Sequence, residues 1–213
     1  MKRLSLFFCF TLIFSIFFMT TPIVTDSMAF GLGAFYNFYG SGESDLEIDF
    51  DYSTFDEEFD ADYRGFGFVL DTNVASNRVF NYRLNLGFKQ VDFEYMDIDV
   101  DMSGISIENT FGFSVFSNKA LRIWIGPQIN LNFLSGDDNW GDDYWTTGLG
   151  LGIVSGINIH AGPVVSICFD LGWRHNKNWG DYEEGNDDYD LTIDGNEIFT
   201  TISILFRMGN DRY

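Results

Sequence analysis

Apolar and polar side chains alternate residue by residue in eight segments of this chain, and no other feature constrains the fold as strongly. A period of two is the period of a β-strand, whose successive side chains point to opposite faces. No helical pattern of comparable clarity competes with it. The segments cover approximately residues 30–39, 62–71, 79–89, 105–115, 121–133, 148–153, 165–174 and 201–208. The sequence therefore predicts an all-β protein.

Short and long connections alternate between these segments. The short ones are 71–78, 117–120 and 160–163; the long ones are 40–61, 135–144 and 175–196, with 94–97 as a brief member of the long set. In an antiparallel meander this order gathers the long loops at one end and the tight turns at the other, the asymmetry of membrane barrels. We predict an eight-stranded antiparallel up-and-down transmembrane β-barrel.

The distribution of charge indicates which face of the strands meets lipid. A soluble calyx would bury the apolar face and expose a face dense in charge. The polar faces here are mostly Gly, Ser, Thr, Asn and Gln, whereas the acidic residues concentrate in 43–62, 137–143 and 181–197. We therefore predict that the small and amide side chains fill the lumen and that Leu, Ile and Phe face lipid. Backbone groups in hydrocarbon must be paired, so the sheet is expected to close.

Two local features add detail to this barrel. The parity of the apolar residues changes in the fourth segment at Gly104, where we predict a β-bulge. Aromatic residues near the strand ends are expected in the interfacial girdles of a membrane barrel. They are Tyr36, Phe38, Tyr95, Trp140, Tyr144, Trp145, Trp173 and Trp179.

The first 29 residues have the three parts of a secretory signal. Lys2 and Arg3 precede an apolar run, which ends before the small-residue exit at Ala29. We expect cleavage after Ala29, leaving one barrel domain over 30–213. Cleavage would remove Lys2, Arg3 and Asp26 and change the formal charge from −20 to −21 (−20 − 2 + 1). So acidic a chain lacks the basic patch that nucleic-acid binding requires. Cys168 would remain alone, which excludes an internal disulfide.

The signal, the eight alternating segments, the acidic loops and the alternating end (Ile202, Ile204, Phe206, Met208) resemble the small eight-stranded outer-membrane barrels of the OmpA/OmpX-like superfamily. The resemblance covers the whole mature chain and implies a bacterial outer-membrane location. It also implies outer-membrane lipid, lipopolysaccharide and the barrel assembly machinery as partners. One feature departs from the family, because Tyr213 is out of phase with Phe206, whereas such barrels commonly end on an aromatic residue in phase with the last strand.

Charged residues also occur on the faces predicted to point inward. They are Arg83, Lys89, Glu108, Arg122, Asp170, Arg174 and Arg207. A small barrel is filled by its own side chains, and an unpaired buried charge is costly. We predict a structural network in which Glu108 and Asp170 pair with some of Arg83, Arg122 and Arg207; a narrow ion path is the alternative. The glycines expected to make room for Trp124 and the arginines are Gly65, Gly67, Gly148, Gly150 and Gly152.

The sequence does not predict a catalytic residue, a metal site or a cofactor. Lipid A deacylase barrels carry a catalytic His followed two residues later by Ser, but here His175 is followed by Lys177, so the nucleophile is missing. The acidic loops offer oxygen ligands of the kind that calcium prefers, without the spacing of a known calcium loop. Divalent cations bridging these loops to lipopolysaccharide are therefore a hypothesis, and solvated loops are the favoured interpretation.

These observations favour a non-enzymatic, structural or surface-presenting barrel with acidic extracellular loops. A small porin-like channel, or a passive route for small or apolar molecules, is the alternative interpretation. A lipid-modifying enzyme is a third and weaker one.

Overall fold

The protein is a closed barrel of eight antiparallel strands in the computed structural model, which describes residues 30–50, 53–74, 79–95, 98–138, 140–184 and 187–208. The strands are β1 (Phe30–Phe50), β2 (Ser53–Asp71), β3 (Phe80–Tyr95), β4 (Ile98–Ser117), β5 (Leu121–Asp138), β6 (Asp143–Ala161), β7 (Val165–Glu184) and β8 (Asp187–Met208). Each pairs with its neighbours in the chain, and β8 closes the ring on β1. The predicted fold class is confirmed.

Two segments named in the sequence analysis lie outside the described residues. They are the predicted signal, 1–29, and the end of the chain, 209–213. The described part of the chain has no helix of the length and hydrophobicity that a membrane-spanning helix needs.

The strands are about twice as long as the membrane requires. They range from 16 residues in β3 to 22 in β8, whereas a transmembrane strand takes about 9–11. The predicted long loops 40–61, 135–144 and 175–196 are therefore wrong, because most of their residues are paired strand. The β1–β2 ladder continues to Phe50↔Ser53, and the β7–β8 ladder continues to Glu184↔Asp187. We call this part of the barrel, beyond the apolar belt, the extension; the opposite end, with the short connections, is the turn end.

Large apolar side chains cover the outside of the lower half of the barrel, which is the half nearer the turn end, as predicted. On β3, Leu86 and Phe88 are exposed while Asn85 and Lys89 are buried. Phe68 on β2, for example, is 71% exposed. An exposed apolar surface of this size is favourable only in contact with an apolar phase. The exposed belt also includes Leu32, Phe66, Ile105, Phe113, Val115, Ile125, Leu151, Ile153, Phe169, Leu171, Ile198, Ile204 and Phe206.

The pattern reverses in the extension, where acidic residues lie outside and apolar residues lie inside. On β2 the outward side chains pass from Phe66 to Asp62 and Asp60, while Ala61 and Phe59 are buried. The strand keeps the same face toward the lumen throughout, and only the residue types on each face are exchanged. The outside thus changes from a lipid-compatible surface to a water-compatible one.

The predicted bulge at Gly104 is wrong for the same reason. The β3–β4 register runs without a shift from Phe80↔Phe113 to Tyr95↔Ile98. Val100 and Met102 differ in parity from Ile105 because they fill the inside of the extension, whereas Ile105 faces lipid. A true shift occurs in β1 between Asn37 and Tyr39, where the strand changes which parity it turns inward.

The aromatic girdle is confirmed for part of the predicted set. Tyr36, Phe38, Trp145, Trp173 and Trp179 are exposed on the outer wall, near the level where apolar side chains give way to charged ones. Trp140, in the β5–β6 turn, is exposed at the tip of the extension instead. Tyr144 is buried inside the barrel and does not belong to the girdle. The side chain of Tyr95 lies outside the described residues.

Acidic side chains face one another across neighbouring strands around the extension. The register pairs Asp62 with Asp92, Asp92 with Asp101, Asp101 with Asp137, Asp137 with Asp143, and Asp143 with Glu183. Like charges directly opposite each other destabilise a sheet. The outer wall of the extension therefore carries a continuous row of repelling carboxylates.

We expect the extension to be more stable in mild acid, because protonation of these carboxylates relieves their repulsion. Partial burial and the neighbouring Asp101 carboxylate raise the pKa of Asp92 above its ordinary value. The folded state therefore holds the Asp92 proton more tightly than the unfolded state does. The stability gained from this protonation is lost as pH rises through the raised pKa. Asp92→Asn should raise the free energy of unfolding at pH 7 by about 0.3 kcal/mol and change little near pH 3.

Urea unfolding in detergent micelles, followed at both pH values, measures this difference. Asp194→Asn is the contrasting control: the register places Asp194 opposite Asp45, but its carboxylate also lies 3.0 Å from His175 and 3.4 Å from Lys177, so this substitution removes attractive contacts. That variant should lose stability at pH 7. A gain in both variants would point to net charge and contradict the pairwise explanation.

Candidate functional site

Buried charges in the lumen form two layers, one of them nearer the turn end. In this lower layer the Arg83 guanidinium lies 2.9 Å from the Asp71 carboxylate and 2.5 Å from the Asp170 carboxylate. It also donates to Asn158 Oδ1 at 3.1 Å, which accepts from Trp124 Nε1 at the same distance. Arg83 packs over the Trp124 ring, 4.8 Å from its centroid. A single arginine therefore ties together strands β2, β3, β6 and β7.

Arg174 organises the upper layer. It binds Glu197 through two parallel donors, Nε at 2.8 Å and Nη2 at 2.7 Å, and binds Glu108 through Nη1 at 2.7 Å. Lys89 Nζ lies 2.9 Å from Glu197 and 4.4 Å from the centroid of the Tyr63 ring. Bidentate arginine–carboxylate pairs are among the strongest hydrogen-bonded contacts in proteins. This layer connects β3, β4, β7 and β8.

The predicted residues of the network are only partly brought together. Arg83 and Asp170 are in contact, as described above. Glu108 pairs with Arg174, which the prediction did not include among its partners. Arg122 donates to the carbonyl of Asn73 and to Asn81 Oδ1 rather than to Asp170, and Arg207 donates to the carbonyl of Gly162 at the turn end.

Two carboxylates of the network were not predicted to lie in the lumen. Asp71 was predicted at the boundary between the second strand segment and a short connection, and it ends β2; Glu197 was assigned to the last acidic loop. The face parity of β8 would have revealed Glu197, because it shares the inward parity of Thr201 and Ser203 once the strand is extended. With these two acids the formal charge of each layer is balanced. The lower layer contains Arg83 and Arg122 with Asp71 and Asp170. The upper layer contains Arg174 and Lys89 with Glu108 and Glu197.

Glycines make space for the large side chains, mostly at other positions than those predicted. A side chain at Gly156 would overlap Trp124 and Asp170, and one at Gly172 would overlap the Phe199 ring, on which Arg174 stacks at 4.5 Å. Of the five predicted glycines, Gly152 lies against an arginine, Arg174. The other four face amide side chains or neighbouring backbone.

An apolar cluster closes the lumen above the ion pairs. It includes the stacked pair Phe59 and Phe93, whose ring centroids are 4.3 Å apart, and Tyr144, whose centroid is 5.0 Å from that of Tyr182. The other buried members are Leu46, Ile48, Ala61, Val91, Val100, Met102, Leu134, Leu191 and Ile193. A void of about 20 Å³ lies between this cluster and Lys89. It has room for about one water molecule and not for a transported solute.

The geometry at the histidines does not resemble an open catalytic site. His160 Nδ1 lies 3.0 Å from Ser166 Oγ near the turn end, but Ser166 is fully buried, so no substrate reaches its hydroxyl. His175 points outward and contacts Asp194, as does Lys177 at the position where a deacylase carries serine. Among the described residues no group of three or more His, Cys, Asp or Glu side chains is placed to hold a metal ion.

The fold resembles that of solved outer-membrane proteins at low sequence identity. OprG from Pseudomonas aeruginosa aligns with a TM-score of 0.59 and 11% identity over 84% of this chain and 97% of OprG. The Neisserial surface protein NspA aligns with a TM-score of 0.36 and 16% identity over 80% and 98%. The outer membrane protease OmpT from Escherichia coli aligns with a TM-score of 0.36 and 9% identity over 87% and 99%.

The likeness to OprG confirms the predicted resemblance at the level of fold, and fold alone does not determine function. The lower scores of NspA and OmpT add nothing to that conclusion. No protein-family model and no curated protein matches this chain.

We expect Arg174 to be the most sensitive position of the network. Arg174→Met leaves two buried glutamates with one lysine, so the free energy of unfolding should fall by about 3–5 kcal/mol. Urea titration in lipid vesicles, with the folded fraction read from the mobility of unboiled samples, measures this loss. The double variant Arg174→Met, Glu108→Gln restores the charge balance and should recover part of it.

Arg64→Met is the matched control, because it removes one positive charge from the exposed outer wall. Its effect should stay within about 0.5 kcal/mol. If Arg174→Met unfolds at the urea concentration of the parent protein, the layer does not stabilise the barrel as described.

Proposed function

We propose that this chain is a non-enzymatic barrel of the bacterial outer membrane that holds a rigid, acidic β-surface outside the cell. The observation that carries the proposal is the extension. Paired strands continue past the apolar belt, with carboxylates outside and a packed apolar cluster inside. The sequence predicted acidic extracellular loops at this end of the barrel; the extension instead supports recognition by a fixed wall.

The filled lumen supports an anchoring role over conduction. Two charge-balanced layers span the barrel, and the apolar cluster seals the part above them. An ion crossing here would have to displace Arg83, Arg174 and their partners, each of which is already paired. A permeant path would therefore require large rearrangement of the most strongly bonded side chains in the molecule.

The surroundings of the belt follow from the same proposal. In an outer membrane its Leu, Ile and Phe side chains would contact lipid and the acyl chains of lipopolysaccharide. A barrel of this kind would depend on the assembly machinery of that membrane for insertion. Divalent cations could bridge the carboxylates of the extension to lipopolysaccharide. Only the carboxylates nearest to the apolar belt would lie at the level of the lipopolysaccharide phosphates.

We expect the extension, and not the turn end, to be accessible on intact cells. Asp45→Cys, on the outer wall of the extension, should react with a membrane-impermeant maleimide, whereas Lys119→Cys in the β4–β5 turn should react only after lysis. The native Cys168 is buried and should not contribute in folded protein. Labelling of Lys119→Cys alone on intact cells would reverse the orientation and contradict the proposal.

Two further measurements separate the rival functions. Protein with the boiled-to-unboiled mobility shift of a closed barrel should give no discrete conductance in planar bilayers. A porin of known conductance, measured under the same conditions, serves to show that the assay detects an open barrel. Overproduction should leave the mass spectrum of lipid A unchanged. Steady single-channel steps from the parent protein would favour a channel, and altered lipid A would favour an enzyme.

A further inference from the structure

An open groove of about 1300 Å³ lies on the outer wall of the barrel, where the apolar belt meets the extension. Its lower part is lined by Phe133 and Leu149, two half-buried side chains on the outer face of β5 and β6. Its upper part is lined by outward side chains of the extension. The groove therefore joins a lipid-facing surface to a water-facing one.

Two tryptophans stand in the middle of the groove. Trp145 on β6 is 45% exposed and Trp179 on β7 is 47% exposed. The register pairs Trp145 with Asp181 and Thr147 with Trp179, so the two indoles occupy diagonal positions on adjacent strands. Side chains at such positions are within reach of one ligand. Exposed indoles offer an apolar surface and a face that attracts cations.

The upper rim of the groove is uniformly acidic. Its carboxylates belong to Asp101, Asp137, Asp143, Asp181, Glu183 and Asp190. Lysine and arginine do not occur among the residues that line it. The six acids come from the five adjacent strands β4 to β8, which at about 4.8 Å per strand spread them over about 19 Å. A single small cation cannot reach across that width.

We infer that this groove binds an extended basic peptide segment that also carries apolar residues. The inference rests on the proposed surface-presenting function and names its partner class. Lysine or arginine side chains would meet the carboxylates and the indole faces, while the apolar residues would lie on Phe133 and Leu149. About six residues of extended chain cover the width of the rim. Anionic lipid headgroups are disfavoured because the rim repels phosphate.

A second acidic depression of the extension, centred on β1 and β2, provides a natural contrast. It is formed by Asp45, Glu47, Asp56 and Glu58 with Asp194, but its lining contains no aromatic residue and includes Lys177. The two surfaces share a high density of carboxylates. They differ in the features that make the groove suited to an amphipathic cationic segment.

The test uses the full barrel in nanodiscs of phosphatidylcholine, which carries no net charge. The probe is a labelled peptide of sequence Lys-Leu-Lys-Leu-Lys-Leu-Lys, and its binding is followed by fluorescence anisotropy at about 0.15 M salt, where exposed charges are screened beyond about 8 Å. Empty nanodiscs and the peptide with Glu in place of Lys are the controls. We expect binding above both controls.

Two groove variants should weaken this binding. Asp137→Asn, Asp143→Asn, Glu183→Gln should raise Kd about tenfold, since exposed ion pairs contribute up to about 1 kcal/mol each. Trp145→Leu, Trp179→Leu should raise it about fivefold. The control Asp45→Asn, Glu47→Gln, Asp56→Asn removes the same charge from the second depression, on β1 and β2, and should change Kd less than about twofold.

Three outcomes would overturn the inference. They are binding no stronger than to empty nanodiscs, equal weakening by the two triple variants, and binding unaffected by the groove variants. The mobility shift of unboiled samples verifies that each variant is folded. The cell-labelling experiment is independent of the peptide: if Asp45→Cys is labelled on intact cells and the peptide does not bind, the proposed function stands and only this partner class is excluded.

Discussion

Backbone hydrogen bonding in a medium without water is the constraint on which the rest of this structure depends. Every unpaired amide or carbonyl in hydrocarbon costs several kcal/mol, so the sheet must close and each strand must have a partner on both sides. Closure also fixes the orientation of side chains, because adjacent residues alternate between lumen and exterior along each ladder. A strand without a register shift can then match a change of surroundings only by exchanging residue types between its two faces. That exchange occurs between Phe66 and Asp62 on β2 and between Ile105 and Asp101 on β4.

The enclosed face has its own requirement, since polar groups in a narrow lumen must find partners there. Arg83 and Arg174 meet it by spanning the barrel and contacting carboxylates of other strands. Their length is what makes this possible: a shorter side chain anchored on one wall would not reach the opposite one. Glycines at 156 and 172 supply the space on the facing strands. The result is a solid interior in which ion pairs lie below and aromatic rings lie above.

The sequence was sufficient for the strand count, the order of pairing and the lipid-facing side of the membrane segments. The alternation over 79–89, for example, reappears in the burial pattern of β3. The extension was not predicted, because its outward acids resemble a loop composition and its inward Leu46, Ile48, Leu191 and Ile193 alternate with them rather than with small residues. The partners in the lumen were also beyond sequence patterns. Arg174 meets Glu108 across 66 positions of the chain, a contact that depends on barrel registers accumulated over four strands.

The continuity of the strands from the membrane into the extension has a mechanical consequence. Hydrogen bonds of an antiparallel ladder lie across the strands, so tension applied at a tip and directed away from the membrane would load many of them at once in shear. A flexible loop under the same load would stretch first and let its contacts peel apart one by one. A partner attached to this wall would therefore be held by a stiff connection. The applied force would be transmitted directly to the membrane-embedded part of the barrel.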